Sequence, residues 1–471
     1  MVRDSRALGV LAVPLILTQL AQVALTTTDT VMTGLLGTSA FAAGGLAVVI
    51  FHQVRTMGVG LLTAMGNQTA AAVALGERAT REGHRAGEPG QEEAAADGEV
   101  RSVVRAGLAV ATFAGIVGAL LMILFGQCLT LLGQDEEVVA LTRSMLLTLA
   151  PGLLPCLWFQ AVRQFTVGMR RPRALLPIAV ASIAVNAGLD WILVNGSFGL
   201  PRLGLVGVGA ATSGVYLLSF LALRFSVSRD KELARFLALD ITRADPVALR
   251  RLVVLGIPIA AAYGSEAGFF SLTTLMAGSF GPDALAAHTA ANQLVHIVFQ
   301  VSVGFSHAAS ISVSRELALG NHDGARRLRN AALACSSVVM ALVAGLYLML
   351  PGAVLAPLLG TGTGTGQALT IATQLLTVTA FLQFFDCAQN IGTGLLRGLG
   401  ETKSGFLITL VGYWAVGLPV AWLAAHLLGL GLLGVWLGLL TGLATTAGLL
   451  IRRYNRWLAH HEGNNGTARP V

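Results

Sequence analysis

The sequence predicts an all-α polytopic membrane protein, with twelve transmembrane helices in two pseudo-symmetric six-helix lobes around a central cleft. Three observations support this fold class: a low charge content, a series of long apolar segments and an internal repeat. Only 12% of the 471 residues are charged and 54% are hydrophobic, whereas a soluble domain carries about 25% charged residues. A large soluble core is excluded, because it would still need a charged outer shell.

Twelve apolar segments follow one another along the chain. They begin near residues 8, 41, 103, 138, 174, 204, 250, 284, 329, 366, 404 and 429. A helix needs about 20 apolar residues to cross the hydrocarbon core. The first segment contains Pro14 and has no small-residue cleavage pattern, so we interpret it as a membrane helix and not as a cleaved signal.

Basic residues lie on one side of the predicted helices. The loops after the even-numbered segments and the C-terminal end carry clusters of Arg and Lys, whereas Arg202 is the one clear basic residue in the opposite loops. Cytoplasmic loops of membrane proteins carry this excess. We therefore expect a multi-pass protein of the inner (plasma) membrane with both termini in the cytoplasm. Membrane orientation, and not nucleic-acid binding, explains the net charge of +7.

Two hydrophilic stretches interrupt the apolar pattern. Residues 77 to 101 are rich in glycine and acidic residues, which predicts a flexible cytoplasmic loop. Residues 227 to 249 predict a short amphipathic linker between two blocks of six helices. The predicted organisation is an N-lobe at 1–226, a linker at 227–249, a C-lobe at 250–456 and a cytoplasmic tail at 457–471.

An internal repeat relates the two blocks. When the chain is shifted by 244 residues without gaps, residues 10 to 76 match residues 254 to 320 at many places. The matches pair Pro14 with Pro258, Met32 with Met276, Gly34 with Gly278, His52 with His296 and Gly60 with Gly304. Composition bias alone would not pair Pro, His and Gly in one register.

The repeat predicts a transporter. Six helices in each half give corresponding helices the same direction, so the pseudo-two-fold axis runs along the membrane normal. Two such lobes leave a cleft that can open alternately to each side, as in secondary transporters. Pro14 and Pro258 each remove a backbone hydrogen bond from a membrane helix, which predicts hinges at both positions.

Ionisable residues inside the first half form one candidate coupling site. Asp29 lies in the first segment, and Asn186 and Asp190 lie four residues apart in the fifth, so they share one helix face. A charge at the bilayer centre costs at least about 2.5 kcal/mol, which favours a functional role. The three side chains predict an oxygen-rich pocket that either holds a proton or binds Na⁺ as a metal site.

The second half carries a different pair of acids. Glu266 lies in the seventh segment and Asp386 in the tenth. In the repeat register Glu266 corresponds to Gln22, and Asp29 corresponds to Thr273. The scaffold repeats but the acids do not, so the acids are additions specific to each lobe. A helix–helix hydrogen bond without a transport role is the alternative for each acid.

Several other residues are weaker candidates. Gln22 and Arg55 are possible additional members of the coupling site. Arg55 is a mid-helix cation that either neutralises an acid or reaches the cleft. Three phenylalanines beside Asp386 either stack on a flat organic cation or pack against lipid; they are Phe381, Phe384 and Phe385. The sequence has no Walker A loop and no hydrolase or zinc motif. These observations predict a protein that is not an enzyme and has no cofactor.

The chain resembles the multidrug and toxic compound extrusion family, closest to its NorM-like branch. The resemblance runs from about residue 7 to 455. It rests on Pro14 followed by 14 residues and DTVMTGLLG, on RQFTVG at 163–168, NAGLD at 186–190 and RGLGETK at 397–403, and on the acids of the seventh and tenth segments.

This resemblance implies a helix antiporter of 6+6 topology that exports cationic organic compounds in exchange for Na⁺ or H⁺. It implies that Asp29, Asn186 and Asp190 couple transport in the N-lobe, with Thr212 as an additional member. Glu266 and Asp386 carry over as the acids of the C-lobe. Some relatives have a tyrosine one turn before the last acid, where this sequence has Leu382.

Two other functions remain open at this stage. A flippase for a lipid-linked precursor would suit a hydrophobic cleft, although Arg55 is the main basic candidate for its phosphate. A receptor or scaffold would leave the acids without a role and the repeat without a purpose. For the transporter, the expected partners are the lipid bilayer and cationic amphiphilic small molecules, and a monomer is sufficient.

Overall fold

The computed structural model describes residues 2–86, 91–132, 135–199, 201–238, 240–359 and 366–465. The described part contains α-helices α1 (Val2–Gly34), α2 (Thr38–Ala86), α3 (Gln91–Cys128), α4 (Glu136–Gly168), α5 (Leu175–Asn195), α6 (Leu205–Arg229), α7 (Lys231–Ala234), α8 (Pro246–Gly278), α9 (Pro282–Ala318), α10 (His322–Met349), α11 (Pro351–Leu359), α12 (Gly366–Gly398), α13 (Thr402–Leu410), α14 (Leu418–Trp422) and α15 (Gly431–Asn465). Twelve spans within it are long and apolar enough to cross a membrane. This confirms the predicted all-α fold with twelve transmembrane helices.

Local signals in the sequence define several helix ends. The Asp135 carboxylate accepts a hydrogen bond from the Glu137 amide at the start of α4, and the Asn321 side chain caps α10 in the same way. Gly196 adopts a left-handed conformation with φ of 72° and ends α5. Such caps satisfy backbone groups that a helix terminus leaves without an intrahelical partner.

The hydrophilic stretch between α2 and α3 is more helical than predicted. We expected a flexible loop over residues 77 to 101, but α2 continues to Ala86 and α3 begins at Gln91. Residues 87–90 lie outside the described residues. The stretch is rich in Ala, Glu and Arg, which favour helix, and this preference outweighs the glycines within it.

Two compact units divide the chain. The first, here called the N-unit, comprises residues 17–261, and the second, the C-unit, comprises residues 1–16 and 262–471. Both divisions fall within a helix, since α1 passes from the C-unit to the N-unit after Ile16 and α8 passes the other way after Ala261. Each of these two helices therefore contributes to both units.

One strongly buried helix lies in each unit. In α4 and in α9, about 72% of the most apolar 18-residue stretch is buried inside the protein. In the N-unit, α4 packs against α2, α3 and α6, and in the C-unit α12 packs against α9, α10 and α15. These contacts place polar residues of α4 and α12 in protein surroundings and away from lipid.

The eleventh span is not a regular α-helix. Between α13 and α15, π-helical segments run from Val411 to Gly417 and from Leu423 to Leu427, on either side of α14. A π-helical turn rotates the residues that follow it relative to an α-helix, and such turns are frequent at functional sites. The first π-helical segment contains the buried Tyr413.

Candidate functional site

The acids of the N-unit form one buried cluster with two neutral residues. The Asn186 Nδ2 atom donates to Asp29 Oδ1 at 2.5 Å and to Asp190 Oδ2 at 3.0 Å. Thr212 Oγ1 lies 3.1 Å from Asp29 Oδ2. All four side chains are at most 4% exposed. Helices α1, α5 and α6 thus bring together the four residues expected from the resemblance.

The amide of Asn186 bridges the two carboxyl groups. Its two N–H bonds point to different acids, so Asp29 and Asp190 lie on either side of one amide group. Two ionised carboxylates in this arrangement repel each other, and a proton on one of them removes the repulsion. Desolvation also disfavours two adjacent charges. The geometry can therefore hold one proton between Asp29 and Asp190.

Two oxygen atoms of the cluster have no hydrogen-bond partner in the described residues. They are Asn186 Oδ1 and Asp190 Oδ1, and both are buried. Together with the remaining carboxylate oxygen atoms and the Thr212 hydroxyl, they offer the oxygen ligands that a hard cation such as Na⁺ prefers. The same four residues can therefore hold a proton or bind Na⁺.

The C-unit builds its site on α8, α12 and the first π-helical segment. Glu266 Oε1 accepts hydrogen bonds from the Tyr413 hydroxyl at 3.1 Å and from Gln389 Nε2 at 3.3 Å. Asp386 lies on α12 three residues before Gln389 and is 2% exposed. Asn390 Nδ2 donates to Asp386 Oδ1 at 3.2 Å. Each acid of the C-unit therefore accepts a hydrogen bond from its own amide, whereas Asn186 donates to both acids of the N-unit.

A small cavity adjoins Glu266 in the C-unit. Its volume is about 20 Å³, which is enough for one water molecule. Its lining includes Glu266, Gln389 and Asn390 together with Tyr263 and Arg397. A water molecule there would have carboxylate, amide and guanidinium partners, so it can connect Glu266 to the buried guanidinium of Arg397.

The other predicted residues are Gln22, Arg55 and the two helix prolines. Gln22 is half-buried and makes no hydrogen bond to the N-unit cluster in the described part of the chain. Arg55 contacts Tyr216 and Cys156, which places it beside α4 and α6. Pro14 and Pro258 lie inside the continuous helices α1 and α8.

The three phenylalanines differ in exposure. Phe381 is 59% exposed and Phe385 is 40% exposed, whereas Phe384 is half-buried. Leu382 and Asp386 occupy a buried face of the same helix. Phe381 and Phe385 are thus free to meet lipid or a ligand, and neither lies on the face that carries Asp386.

Sequence reasoning did not identify three polar residues of the C-unit site, namely Gln389, Asn390 and Tyr413. Gln389 and Asn390 follow Asp386 at helical spacing, and that spacing is a signal that could have found them. Tyr413 comes from a different helix, and no spacing along the chain relates it to Glu266.

Comparison with known proteins identifies the family. The MatE family model matches residues 94–192 and 258–423. A probable multidrug resistance protein NorM from Pseudomonas aeruginosa is 34% identical over 446 residues, covering 94% of this chain and 88% of the relative. Its counterpart from Bradyrhizobium diazoefficiens is 36% identical over 449 residues, covering 94% and 91%. The chain belongs to the MatE family.

Solved structures show the same fold as this MatE protein. The eukaryotic MATE transporter AtDTX14 superposes with a TM-score of 0.81 at 20% identity, covering 98% of this chain and 99% of the other. A MATE structure in complex with MaL6 gives a TM-score of 0.85 at 16% identity, covering 98% and 97%. The NorM-like MatE assignment agrees with the predicted resemblance.

Proposed function

We propose that this protein is a secondary active antiporter that exports cationic organic compounds in exchange for H⁺ or Na⁺. The single observation that carries this proposal is the pair of buried acids in each unit, whose carboxyl groups accept hydrogen bonds from neutral amide side chains. An antiporter needs a group that binds its coupling ion on one side of the membrane and releases it on the other. The names of the NorM relatives support multidrug compounds as the exported class.

The N-unit geometry favours H⁺ over Na⁺ as its coupling ion. Asp29 and Asp190 both accept a hydrogen bond from the one Asn186 amide, and a proton on either of two neighbouring buried carboxylates removes their mutual repulsion. The described hydrogen bonds of Asp29 come from Asn186 and Thr212, which are neutral. Entry of a proton therefore neutralises this pair without moving a counter-cation.

The proposed mechanism is alternating access by rocking of two lobes, 1–226 and 250–456, joined by the linker 227–249. An organic cation binds when the acids are ionised and leaves outward after protonation or Na⁺ binding. Phe381, Phe384 and Phe385 are proposed to stack on the substrate. The protein acts as a monomer in the inner membrane, with both termini in the cytoplasm and no enzymatic step.

Proteoliposomes with separately imposed gradients test this function. The purified protein should export ethidium when a pH gradient alone is imposed, and Asp29→Asn should abolish export while leaving the protein folded, because the amide cannot exchange a proton. Thr30→Asn, at an exposed neighbouring position of α1, is the matched control. Export at the same rate without any ion gradient would refute coupling, and export driven by a sodium gradient alone would assign Na⁺.

A further inference from the structure

Two buried arginines hold the first helix of each repeat at matching positions. In the N-unit, Arg163 donates from Nη2 to Gln19 Oε1 at 3.3 Å and from Nη1 to Gln160 Oε1 at 3.1 Å. In the C-unit, Arg397 donates from Nη1 to the Tyr263 hydroxyl at 2.9 Å. Residues 19 and 263 are 244 positions apart, which is the repeat register. The two acceptors are therefore equivalent.

The arginines themselves are not equivalent. Helices α4 and α12 have the same length of 33 residues and end at Gly168 and Gly398. Arg163 lies five residues before the end of α4, and Arg397 lies one residue before the end of α12. The difference of four residues is about one turn, so both arginines project from the same face. In each half, an arginine thus donates to the same acceptor position, although the two arginines lie one turn apart on their helices. The shared scaffold alone does not require this arrangement.

Both arginines are deeply buried. Arg163 is 3% exposed and Arg397 is 4% exposed. Arg397 also donates from Nη2 to Ser306 Oγ at 2.6 Å. Burial of a guanidinium is expensive and is normally offset by several hydrogen bonds. Each arginine therefore fixes a cross-helix contact that a neutral residue could make at lower cost.

The held residues lie just beyond the point where each helix changes unit. In α1, Pro14 precedes the division after Ile16, and Gln19 follows it. In α8, Pro258 precedes the division after Ala261, and Tyr263 follows it. The same order of proline, division and held residue occurs in both halves. The part of each helix that enters a unit is thus bound to that unit within about one turn.

The preceding part of each helix is packed against the unit that it leaves. A Cβ atom on Gly304 would lie 3.0 Å from the Ile16 Cα atom, so α9 and α1 are in close backbone contact within the C-unit. A Cβ atom on Gly256 would lie 2.3 Å from the Leu61 carbonyl oxygen, so α8 and α2 are equally close within the N-unit. Only glycine permits such approach. Each helix is therefore fixed on both sides of its division.

We propose that Arg163 and Arg397 are positioning residues that clamp α1 and α8, so that motion between the units is confined to residues 14–19 and 258–263. This inference rests on the proposed alternating access. In each of these two helices, bending is limited on one side by the glycine contact and on the other side by the arginine. Loss of a clamp lets the bend spread along the helix, toward Asp29 in α1 or Glu266 in α8.

Spin-label distances along each helix test the clamps. Val10 and Val31 are exposed on α1, and Val254 and Leu275 are exposed at the matching positions of α8. Each pair spans 21 residues, or about 32 Å of helix. The labels are placed in a transport-competent background in which the four native cysteines are replaced, namely Cys128, Cys156, Cys335 and Cys387.

The expected result is specific to one helix at a time. Tyr263→Phe, which removes the acceptor but keeps the arginine, should broaden the 254–275 distance distribution and leave the 10–31 distribution unchanged. Gln19→Leu should do the reverse. Tyr263→Gln places the acceptor of the N-unit in the C-unit and should restore the narrow distribution. Unchanged distributions in both acceptor variants would overturn the proposal.

A second tyrosine provides the control for hydroxyl removal. Tyr454 is buried in the C-unit and donates its hydroxyl to the Ala325 carbonyl oxygen at 3.0 Å. Tyr454→Phe should leave both distance distributions unchanged, and broadening there would overturn the proposal by showing a general loosening. In export assays, the double variant Tyr263→Phe and Arg397→Met should export no more slowly than the slower single variant. Both substitutions remove the same hydrogen bond between Arg397 and Tyr263, so their effects should not add.

The spin-label distances test this proposal independently of the proposed transport function. They are measured in detergent or bilayers without an ion gradient. If export proves independent of H⁺ and Na⁺, the proposed ion coupling is wrong, but the spin-label distances still test whether the two arginines restrain α1 and α8. If coupling holds and the distances do not respond to the acceptor variants, the clamps alone are refuted.

Discussion

At the residue scale, buried acids that accept hydrogen bonds from neutral amides are the feature shared by both candidate sites. In the C-unit, Gln389 donates to Glu266 and Asn390 donates to Asp386. In the N-unit, the single amide of Asn186 donates two hydrogen bonds at once, one to each acid. It therefore keeps the two carboxyl groups close without neutralising either of them, and the pair remains able to gain or lose a proton.

The bridging amide gives the first residue-scale prediction. Asn186→Leu keeps the side-chain size but removes both donors, so two buried acids lose a partner. Leaving a buried group unsatisfied costs about 1–3 kcal/mol, and we expect ethidium export to fall by about tenfold or more. Initial export rates from proteoliposomes check this, with melting temperature as the measure of folding.

A matched substitution on the same helix controls for leucine. Asn195 is exposed at the end of α5, where its side chain donates to the Trp191 carbonyl oxygen. Asn195→Leu should leave the export rate within about twofold, as surface substitutions have small effects. Export by Asn186→Leu at the parent rate would remove the amide bridge from the mechanism.

How far the sites follow from the sequence depends on whether their members share a helix. The acids stand out because charges are rare in apolar segments, and Asn186 is identified by its helical spacing to Asp190. Tyr413 donates to Glu266 across 147 positions of the chain. That contact depends on how two helices are rotated against each other, which no spacing within one segment reveals.

At the element scale, apolar length predicts how many helices cross the membrane but not their inner geometry. The twelve predicted segments correspond to twelve spans in the described chain. The π-helical segments are not visible in a hydrophobic pattern, because the eleventh span is apolar on most sides. Its geometry depends on the close packing of α15, which contributes Gly434, Gly438 and Gly442 at four-residue spacing.

This glycine row gives an element-scale prediction. A Cβ atom on Gly438 would lie 2.3 Å from the Ala421 Cα atom, which belongs to α14. Small residues at this spacing let membrane helices approach closely. Gly438→Ala should force the helices apart at a cost of about 1–3 kcal/mol and lower the melting temperature by several degrees, as measured by thermal unfolding in detergent.

A second glycine of the same helix serves as its control. No atom lies within 4 Å of a Cβ atom placed on Gly448. Gly448→Ala should keep or slightly raise the melting temperature, since alanine favours helix over glycine by about 1 kcal/mol. Equal melting temperatures for the two variants would show that close packing at Gly438 does not support the eleventh span.

At the scale of the whole molecule, the repeat predicts two halves but not the units of the structure. The sequence places the halves at the linker after α6, whereas the compact units divide within α1 and α8. The division depends on which neighbours a helix packs against on each side of its proline. Pattern matching detects the proline pair, Pro14 and Pro258, but not those neighbours.

The distribution of basic residues gives a prediction for the whole molecule. Arg171 lies between α4 and α5, contacts Asp230 at 3.4 Å beside α7, and is one of many cations in loops after even-numbered spans. Such loops stay in the cytoplasm, and an even number of spans returns the chain to that side. Green fluorescent protein fused to the C-terminus should therefore fluoresce, and alkaline phosphatase fused there should be inactive.

A fusion on the opposite side completes this test. Alkaline phosphatase fused after Arg202, in the connection between α5 and α6, should be active, because that connection follows an odd-numbered span. Arg202 is the exception in the charge pattern, so this position is the strictest test of the count. A dark fluorescent fusion together with an active C-terminal phosphatase would show the opposite orientation, because both reporters would then place the C-terminus outside the cytoplasm.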